Sequence, residues 1–210
     1  MVGDEPQAVE AGATVLAHRG NAADAAAATY FALAVTYPVA AGLGGGGICI
    51  VYNPQQKNGE EFDFLAREAS GRGPYSIPGN VAGFALLQST YGQLPWQRVV
   101  SPAESFAAAG FSISQALYAR LSTNQDVIRL DAELAREFLD EAGHLKPTGA
   151  IVQAPALAQT LSQVRATAQM RFTRARLRAR SPATRTRRAV ISPLRSYPRI
   201  GRSEMRRCGS

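Results

Sequence analysis

The chain has 210 residues, of which 46% are hydrophobic, so it can form one compact domain with a buried core. Its net charge of +7 hides two unlike parts: residues 1–164 hold nine Lys and Arg against fifteen acids, and residues 165–210 hold fourteen Arg against Glu204. No apolar run is long enough for a membrane span, and the acidic start MVGDEPQAVE differs from a signal peptide. The sequence as encoded predicts a cytoplasmic protein without a membrane segment.

The first half of the chain predicts two helices followed by a hairpin. PQAVEAGATVLAHRG has apolar residues at helical spacing and stops at Gly20. The Ala-rich second helix has Asn21 as a cap and Asp24 in its first turn, and Pro38 prevents its continuation. A β-branched and aromatic strand is predicted at 47–52, and EFDFLA pairs with it across the turn-forming segment NPQQKNGE.

Between the second helix and this strand lies GLGGGG, which satisfies the letters of the dinucleotide-binding pattern G-x-G-x-x-G. A phosphate site of that type needs a strand before the glycines and a helix after them, and the predicted order here is the reverse. The run is therefore interpreted as structural, because glycines permit positive φ and close backbone packing. Its glycines are Gly42, Gly44, Gly45, Gly46 and Gly47. No cofactor is predicted.

The second half predicts helices only. NVAGFALLQSTYG has a helical pattern, and Ser101-Pro102-Ala103-Glu104 reads as a capping box that opens a helix closed by Gly110. Further helices are predicted at 113–122, 131–140 and 153–164. No metal site is predicted, because the cysteines and histidines lack the spacing of metal ligands. They are Cys49, Cys208, His18 and His144.

Several motifs in this order resemble the start of the large subunit of the γ-glutamyltranspeptidase family. GNAADAA and GLGGGG are followed by PGNVAGF, YGQLPW and PAESFAAAGF, and the matching stretches cover most of residues 7–164. The resemblance implies an α+β fold: the N-terminal portion of the four-layer αββα sandwich of the N-terminal nucleophile hydrolases, helix-rich with one early hairpin. It also implies γ-glutamyl transfer from glutathione or a related amide to an amino acid or water.

The family's large subunit supplies an arginine that binds the α-carboxylate of the γ-glutamyl substrate. Arg67 is the candidate for this role, although Leu65 and Ala66 stand between it and the Asp-Phe pair that usually precedes it. The alternative is a solvated arginine at a strand end. Glu68 is either the ion-pair partner of Arg67 or simply exposed, and Asp63 is interpreted as a polar residue on the strand face rather than a site carboxylate.

The family's nucleophile is a threonine exposed by self-cleavage at the start of a small subunit, with its own α-amine as base. No threonine of this chain lies in that processing motif. The chain alone is therefore expected to be inactive, with the small subunit as its missing partner. Family members are often periplasmic or secreted, in contrast to the cytoplasmic location predicted above.

The resemblance ends near Val164, so the chain is divided into a family domain at 1–164 and an arginine-rich tail at 165–210. One interpretation of the tail is a frameshift in a GC-rich gene that truncated the family sequence. A second is an arm that binds nucleic acid, which would make the chain a non-catalytic interaction module. A third is a disordered segment without a role, since a highly charged segment of low hydrophobicity does not fold alone. Nucleic acid is the less favoured partner.

Overall fold

The structure is a computed structural model that describes residues 1–55, 57–68, 76–176 and 186–188. Its helices are α1 (Pro6–Ala17), α2 (Ala22–Thr36), α3 (Asn80–Tyr91), α4 (Trp96–Ala109), α5 (Gln115–Ser122), α6 (Gln125–Leu130), α7 (Ala132–Phe138) and α8 (Pro155–Arg176). Its strands are β1 (Ile48–Asn53), β2 (Asn58–Asp63), β3 (Arg67–Glu68), β4 (Ser76–Ile77), β5 (Phe111–Ser112), β6 (Ile151–Val152) and β7 (Thr186–Arg188). The predicted helix-rich α+β body with an early hairpin is confirmed.

Helix α2 begins at the residue that its capping signal predicts. The Asn21 side chain accepts hydrogen bonds from the backbone N–H groups of Ala23 and Asp24, and the Asp24 carboxylate accepts one from the Asn21 N–H at 3.1 Å. These reciprocal bonds satisfy donors that a helix start leaves without partners. The alanines that follow let α1 and α4 approach α2 closely, and Ala27 and Ala28 are fully buried. A helix of small residues therefore forms the centre of the body.

A buried carboxylate joins the start of α2 to the turn between α3 and α4. Asp24 is fully buried, and its Oδ1 accepts a hydrogen bond from Gln88 Nε2 at 3.0 Å. Its Oδ2 accepts from the backbone N–H groups of Gln93 and Leu94 at 2.8 and 3.3 Å. With the Asn21 N–H, four donors surround the carboxylate, so its burial is compensated by charge-assisted hydrogen bonds.

The main core lies between α2, α4 and α8. Phe31 of α2 meets the Trp96 ring of α4 edge to face, with the ring centroids 5.4 Å apart, and Leu161 of α8 is fully buried in the same cluster. The Trp96 Nε1–H donates to the Val164 carbonyl at 3.1 Å. Because buried Trp needs a partner for its N–H, this bond fixes α8 against α4.

The start of α4 differs from the prediction. Ser101 does not cap this helix, which begins at Trp96 with Pro95 as its N-cap and contains Pro102 in its interior. An interior Pro removes one helical hydrogen bond at a cost of about 3 kcal/mol. The burial of apolar residues on both sides of Pro102 outweighs that cost. These residues are Val99, Val100, Ala103 and Ala107. Gly110 ends the helix, as predicted, with a φ of 106°.

Helix α8 is longer than the predicted segment 153–164, because it continues to Arg176. Arg165, the first residue of the predicted tail, forms an ion pair with Glu104 of α4. The division at Val164 stays a prediction. The predicted disorder of the tail falls largely on 177–185 and 189–210, which lie outside the described residues.

The hairpin of β1 and β2 packs one face on the helices. The two strands are antiparallel, and Cys49 and Val51 of β1 lie on the same face as Phe62 of β2. Phe62 is fully buried and belongs to a second cluster with Leu87 of α3. Strand β7 pairs with β2 in parallel, which places β2 in the middle of this sheet.

Candidate functional site

The glycine run lies between α2 and β1, as predicted, and packs against the segment that leads to Arg67. A Cβ atom on Gly46 would lie 2.2 Å from the backbone N of Ala66 and 2.7 Å from the carbonyl O of Phe64. The next residue, Gly47, exchanges backbone hydrogen bonds with Phe64 at 3.4 and 3.0 Å. A side chain at Gly46 would therefore displace the backbone that positions Arg67.

Backbone conformation is not what requires glycine here. Within the described residues the glycines with positive φ are Gly110, Gly143 and Gly149, so of the two properties that glycine permits, the run at 42–47 uses close packing and not positive φ. A Cβ atom on Gly44 would meet nothing within 4 Å. Close approach is the constraint, and it acts at Gly46, since the backbone of a neighbouring segment occupies the space of a side chain.

Asn80, the first residue of α3, holds the glycine loop in place. Its Nδ2 donates to the Gly42 carbonyl at 3.1 Å, and the backbone N–H groups of Gly79 and Asn80 both donate to the Gly45 carbonyl at 2.9 and 3.0 Å. The Tyr30 hydroxyl also donates to the Gly42 carbonyl, at 2.9 Å. Burial raises the pKa of Tyr30 to about 12, so this donor keeps its proton at neutral pH.

An open cleft of about 640 Å³ lies between the glycine loop, α2 and α3. Its walls are glycine backbone and aromatic side chains, and its lining residues include Tyr30, Gly44, Phe64, Asn80 and Phe84. The Phe84 ring stacks on the Tyr30 ring with centroids 4.1 Å apart. None of the described residues that line this cleft carries a charge at neutral pH. These residues offer a ligand backbone, amide and aromatic contacts.

Arg67 follows directly on the segment that packs against this loop. It is the first residue of β3 and pairs with Ile77 of β4. Its Nη2 donates to Asp63 Oδ2 at 2.8 Å, and 54% of its side chain is exposed. A guanidinium group has five N–H donors in a planar fork, so a half-exposed Arg67 can hold one carboxylate of the protein and still bind a second from a ligand.

The ion-pair partner of Arg67 is Asp63 rather than Glu68. Glu68 is exposed, which is the second of the two alternatives that the sequence left open for it. The prediction of Asp63 as a polar residue on the strand face lacks its contact with Arg67. The signal that could have found it is its position at the last residue of β2, from which the chain turns back toward Arg67. Residues 69–75 lie outside the described part of the chain.

Metal and membrane features are absent from the described ranges. Within them, no group of three or more His, Cys, Asp and Glu side chains could hold a metal ion. The same ranges contain no helix with the length and apolarity that a membrane crossing requires. Cys49 is half-buried, and burial raises the pKa of its thiol. The candidate site consists of Arg67, its partner Asp63 and the cleft that is lined by Phe64 of the same segment.

Comparison with known proteins identifies the family. The family model for Gamma-glutamyltranspeptidase matches residues 8–177. Glutathione hydrolase 2 of Arabidopsis thaliana is 35% identical over 179 residues, which cover 77% of this chain and 30% of that protein. The Glutathione hydrolase proenzyme of Pseudomonas aeruginosa is 32% identical over 171 residues, which cover 72% of this chain and 30% of that protein.

Solved structures show the same fold. The γ-glutamyltranspeptidase of Helicobacter pylori superimposes on this chain with a TM-score of 0.71 at 26% sequence identity. The superposition covers 78% of this chain and 53% of the Helicobacter pylori chain. The transpeptidase CapD of Bacillus anthracis gives a TM-score of 0.70 at 28% identity, covering 80% of this chain and 57% of that chain. The chain thus spans about a third of the length of the curated relatives that it matches. It belongs to the γ-glutamyltranspeptidase family and has the fold of the N-terminal part of that N-terminal nucleophile hydrolase.

Proposed function

We propose that this chain is the N-terminal part of the large subunit of a γ-glutamyl-transferring enzyme. Its substrate would be glutathione or a related γ-glutamyl amide, and the acceptor would be water or an amino acid. The observation that carries the proposal is the position of Arg67 beside the glycine loop in a chain whose matching relatives are glutathione hydrolases.

Arg67 would bind the α-carboxylate of the γ-glutamyl group. Three features support this role: the side chain is half-exposed, Asp63 orients its guanidinium through Nη2, and close packing at Gly46 fixes the backbone just before it. A guanidinium fork binds a carboxylate through two parallel N–H donors, which gives direction as well as affinity. In this arrangement Arg67 is a binding residue and takes no proton.

Bond cleavage would belong to a separate part of the enzyme. The family's threonine nucleophile attacks the γ-carbonyl carbon, its own α-amine accepts the hydroxyl proton, and oxyanion donors stabilise the tetrahedral intermediate. The substrate amine leaves with a proton, and water or an amino acid then takes the γ-glutamyl group. Since no threonine of this chain lies in the processing motif, we expect turnover only when a small subunit is supplied.

A chimaeric enzyme tests the proposal. Residues 1–164 would replace the matching part of the Pseudomonas aeruginosa proenzyme, and turnover of γ-glutamyl-p-nitroanilide would be measured. We expect the chimaera to mature and turn over this substrate. Arg67→Gln should reduce kcat/KM about 10- to 100-fold, since hydrogen bonds to charged groups contribute roughly 1.5–3 kcal/mol.

The matched control is Arg120→Gln, which removes an exposed arginine from α5. It should leave kcat/KM unchanged. Arg67→Lys keeps the charge without the fork and should fall between the two. A matured chimaera in which Arg67→Gln is as active as the parent would contradict the role of Arg67. A matured chimaera without turnover of any γ-glutamyl amide would contradict the proposed function itself.

A further inference from the structure

Two glycines of the PGNVAGF motif face the segment that leads to Arg67. Gly79 is the N-cap of α3 and Gly83 lies in its first turn. A Cβ atom on Gly79 would overlap the carbonyl group of Phe64, with the carbonyl carbon 2.6 Å away. A Cβ atom on Gly83 would overlap the Phe64 ring, with Cδ2 2.5 Å away. Both positions therefore admit Phe64 only because they carry no side chain.

The Phe64 ring occupies a slot that is formed by Gly47, Gly83 and Phe84. A Cβ atom on Gly47 would lie 3.2 Å from Cε2 of the Phe64 ring, and the Phe84 ring is tilted against it with centroids 5.4 Å apart. Phe64 is 5% exposed as a result. Since glycine backbone forms two of its walls, the slot fits one ring position closely.

Phe64 is the last buried side chain before Arg67. Residues 65–68 are all exposed, so none of their side chains can anchor the segment in the core. Asp63, which accepts the hydrogen bond from Arg67 Nη2 at 2.8 Å, directly precedes Phe64. The anchored ring thus lies between the two members of the ion pair, and a shift of the ring would move both of them.

The start of α3 and the strand before it contact this segment at several points. Ile77 of β4 pairs with Arg67 through the backbone, two residues before Gly79. Gly79 approaches the Phe64 carbonyl, and Gly83 approaches the Phe64 ring. Residues 77–83 therefore act as a template along the whole segment, rather than as a single contact.

Phe62 is a comparison for ordinary core packing. It is fully buried, belongs to the same cluster as Phe64 and stands on the other side of Asp63. Its ring meets the Tyr91 ring at the end of α3, with centroids 5.9 Å apart. The two phenylalanines are thus alike in burial, but only Phe64 lies between Asp63 and Arg67 in the chain.

We propose that Phe64 is a positioning residue for Arg67. The slot holds the Phe64 ring, and the ring fixes the backbone from which the Arg67 guanidinium reaches the α-carboxylate of the substrate. Phe64 takes no part in proton transfer and acts through Arg67. The identity of the ligand rests on the proposed function, whereas the order of the Arg67 side chain does not.

NMR of the ¹⁵N-labelled full chain tests the positioning without any turnover. Phe64→Leu keeps an apolar side chain that does not fill the slot, and Phe62→Leu is the matched control. The heteronuclear NOE of the Arg67 Nε–Hε group reports how ordered the guanidinium is on the ps–ns timescale. It should exceed that of the exposed Arg120 in the parent and in Phe62→Leu, and it should fall to the value of Arg120 in Phe64→Leu.

Kinetics in the chimaera test whether Phe64 acts through Arg67. Phe64→Leu should raise KM for γ-glutamyl-p-nitroanilide about 5- to 10-fold with kcat within about 2-fold, because binding of the carboxylate weakens. In the Arg67→Gln background the same change should raise KM less than about 2-fold, since two residues that act as a unit are not additive. Phe62→Leu should leave KM within about 2-fold of the parent.

Gly83→Ala gives an independent lesion of the slot. It leaves Phe64 unchanged but places a Cβ atom where the ring lies. Helix propensity alone favours Ala over Gly at this position of α3. A rise in KM that matches Phe64→Leu, and that also disappears in the Arg67→Gln background, is the expected result.

Equal increases of KM in both backgrounds would overturn the inference, because Phe64 would then act through general packing. So would an Arg67 NOE that is unchanged in Phe64→Leu or that falls as far in Phe62→Leu. If the parent chimaera turns over no γ-glutamyl amide, the proposed function fails and the NMR comparison still decides whether Phe64 orders Arg67. If Phe64→Leu does not fold, Gly83→Ala supplies the same comparison.

Discussion

The helical body and the β1–β2 hairpin bury their apolar residues to different degrees. In the body, Phe31, Val99 and Leu161 are fully buried, and even the carboxylate of Asp24 has four donors around it. In the hairpin, one face is packed and the other exposes Ile50 at 74%. The helical body therefore has a closely packed core, whereas the hairpin is packed on one face and exposed on the other. Substitutions in the body should therefore cost more stability than substitutions on the outer face of the hairpin.

The largest effect is expected in the body. Phe31→Ala should lower the free energy of unfolding by about 3–5 kcal/mol, because it leaves a cavity between α2 and α4. Urea denaturation followed by circular dichroism measures this change. Leu130→Ala, on a side chain that is 88% exposed, should change it by less than about 0.5 kcal/mol. Similar losses in both variants would show that the body is not the packed core described above.

The buried carboxylate should give the next largest effect. Asp24→Asn replaces an acceptor oxygen with an N–H group that faces donors, so at least one buried donor loses its partner. The expected loss is about 2–3 kcal/mol in the same denaturation experiment. Asp126→Asn is the control, since that side chain is 98% exposed. An Asp24→Asn protein as stable as the parent would contradict the network that joins α2 to the α3–α4 turn.

Tyr30 predicts a loss of stability at high pH. Burial raises its pKa in the folded state to about 12, above the ordinary value of 10. The protonated phenol therefore contributes to the stability of the folded state fully below pH 10. This contribution is lost as the pH rises from 10 toward 12, because the phenol of the unfolded chain loses its proton first. Unfolding free energies between pH 8 and pH 11.5 should therefore fall less in Tyr30→Phe than in the parent. Equal pH dependence in the two proteins would contradict the buried phenol.

Ile50 should contribute little to folding despite its size. Ile50→Ala removes a side chain that is mostly exposed, so the expected loss in dilute solution is less than about 1 kcal/mol. Phe62→Ala in the opposite face of the same hairpin should cost about 3–5 kcal/mol. The ratio of the two losses measures how different the faces are. Equal losses would mean that the outer face is covered in solution.

Arg67 should matter least for stability. Its pair with Asp63 is half-exposed, and such pairs contribute about 0–1 kcal/mol. Arg67→Gln should therefore unfold within about 0.5 kcal/mol of the parent while losing substrate affinity in the chimaera. A large loss of stability would make Arg67 a structural residue and would remove the reason to assign it to binding.

Local signals predicted the fold where they agreed with burial. The Asn21 and Asp24 pair located α2, and the β-branched run located β1. At Pro102 the local signal was misleading, because the packing of Trp96 extends α4 before it. The pairs β3–β4 and β5–β6 have only two residues in each strand, which is too short for a periodic pattern to predict them. The partners in β5–β6 are also about forty positions apart.

The site was predictable in part. Residue type and family resemblance were enough to single out Arg67 and the glycine run. The constraint on Gly46 comes from Phe64 and Ala66, which approach it only in the folded chain. The Asn80 bonds to the glycine loop join residues nearly forty positions apart. Sequence patterns describe neighbours along the chain, and these contacts are set by tertiary packing.

The most direct test of the difference between the two regions is hydrogen–deuterium exchange of the full chain at low concentration. Amides of α2 and α4 should exchange slowest, through global unfolding, while the N–H groups of Ile48, Ile50 and Tyr52 exchange fastest within β1. Exchange as slow in the outward amides of β1 as in α2, or uniformly fast exchange throughout, would contradict a closely packed helical body beside a hairpin that is packed on one face only.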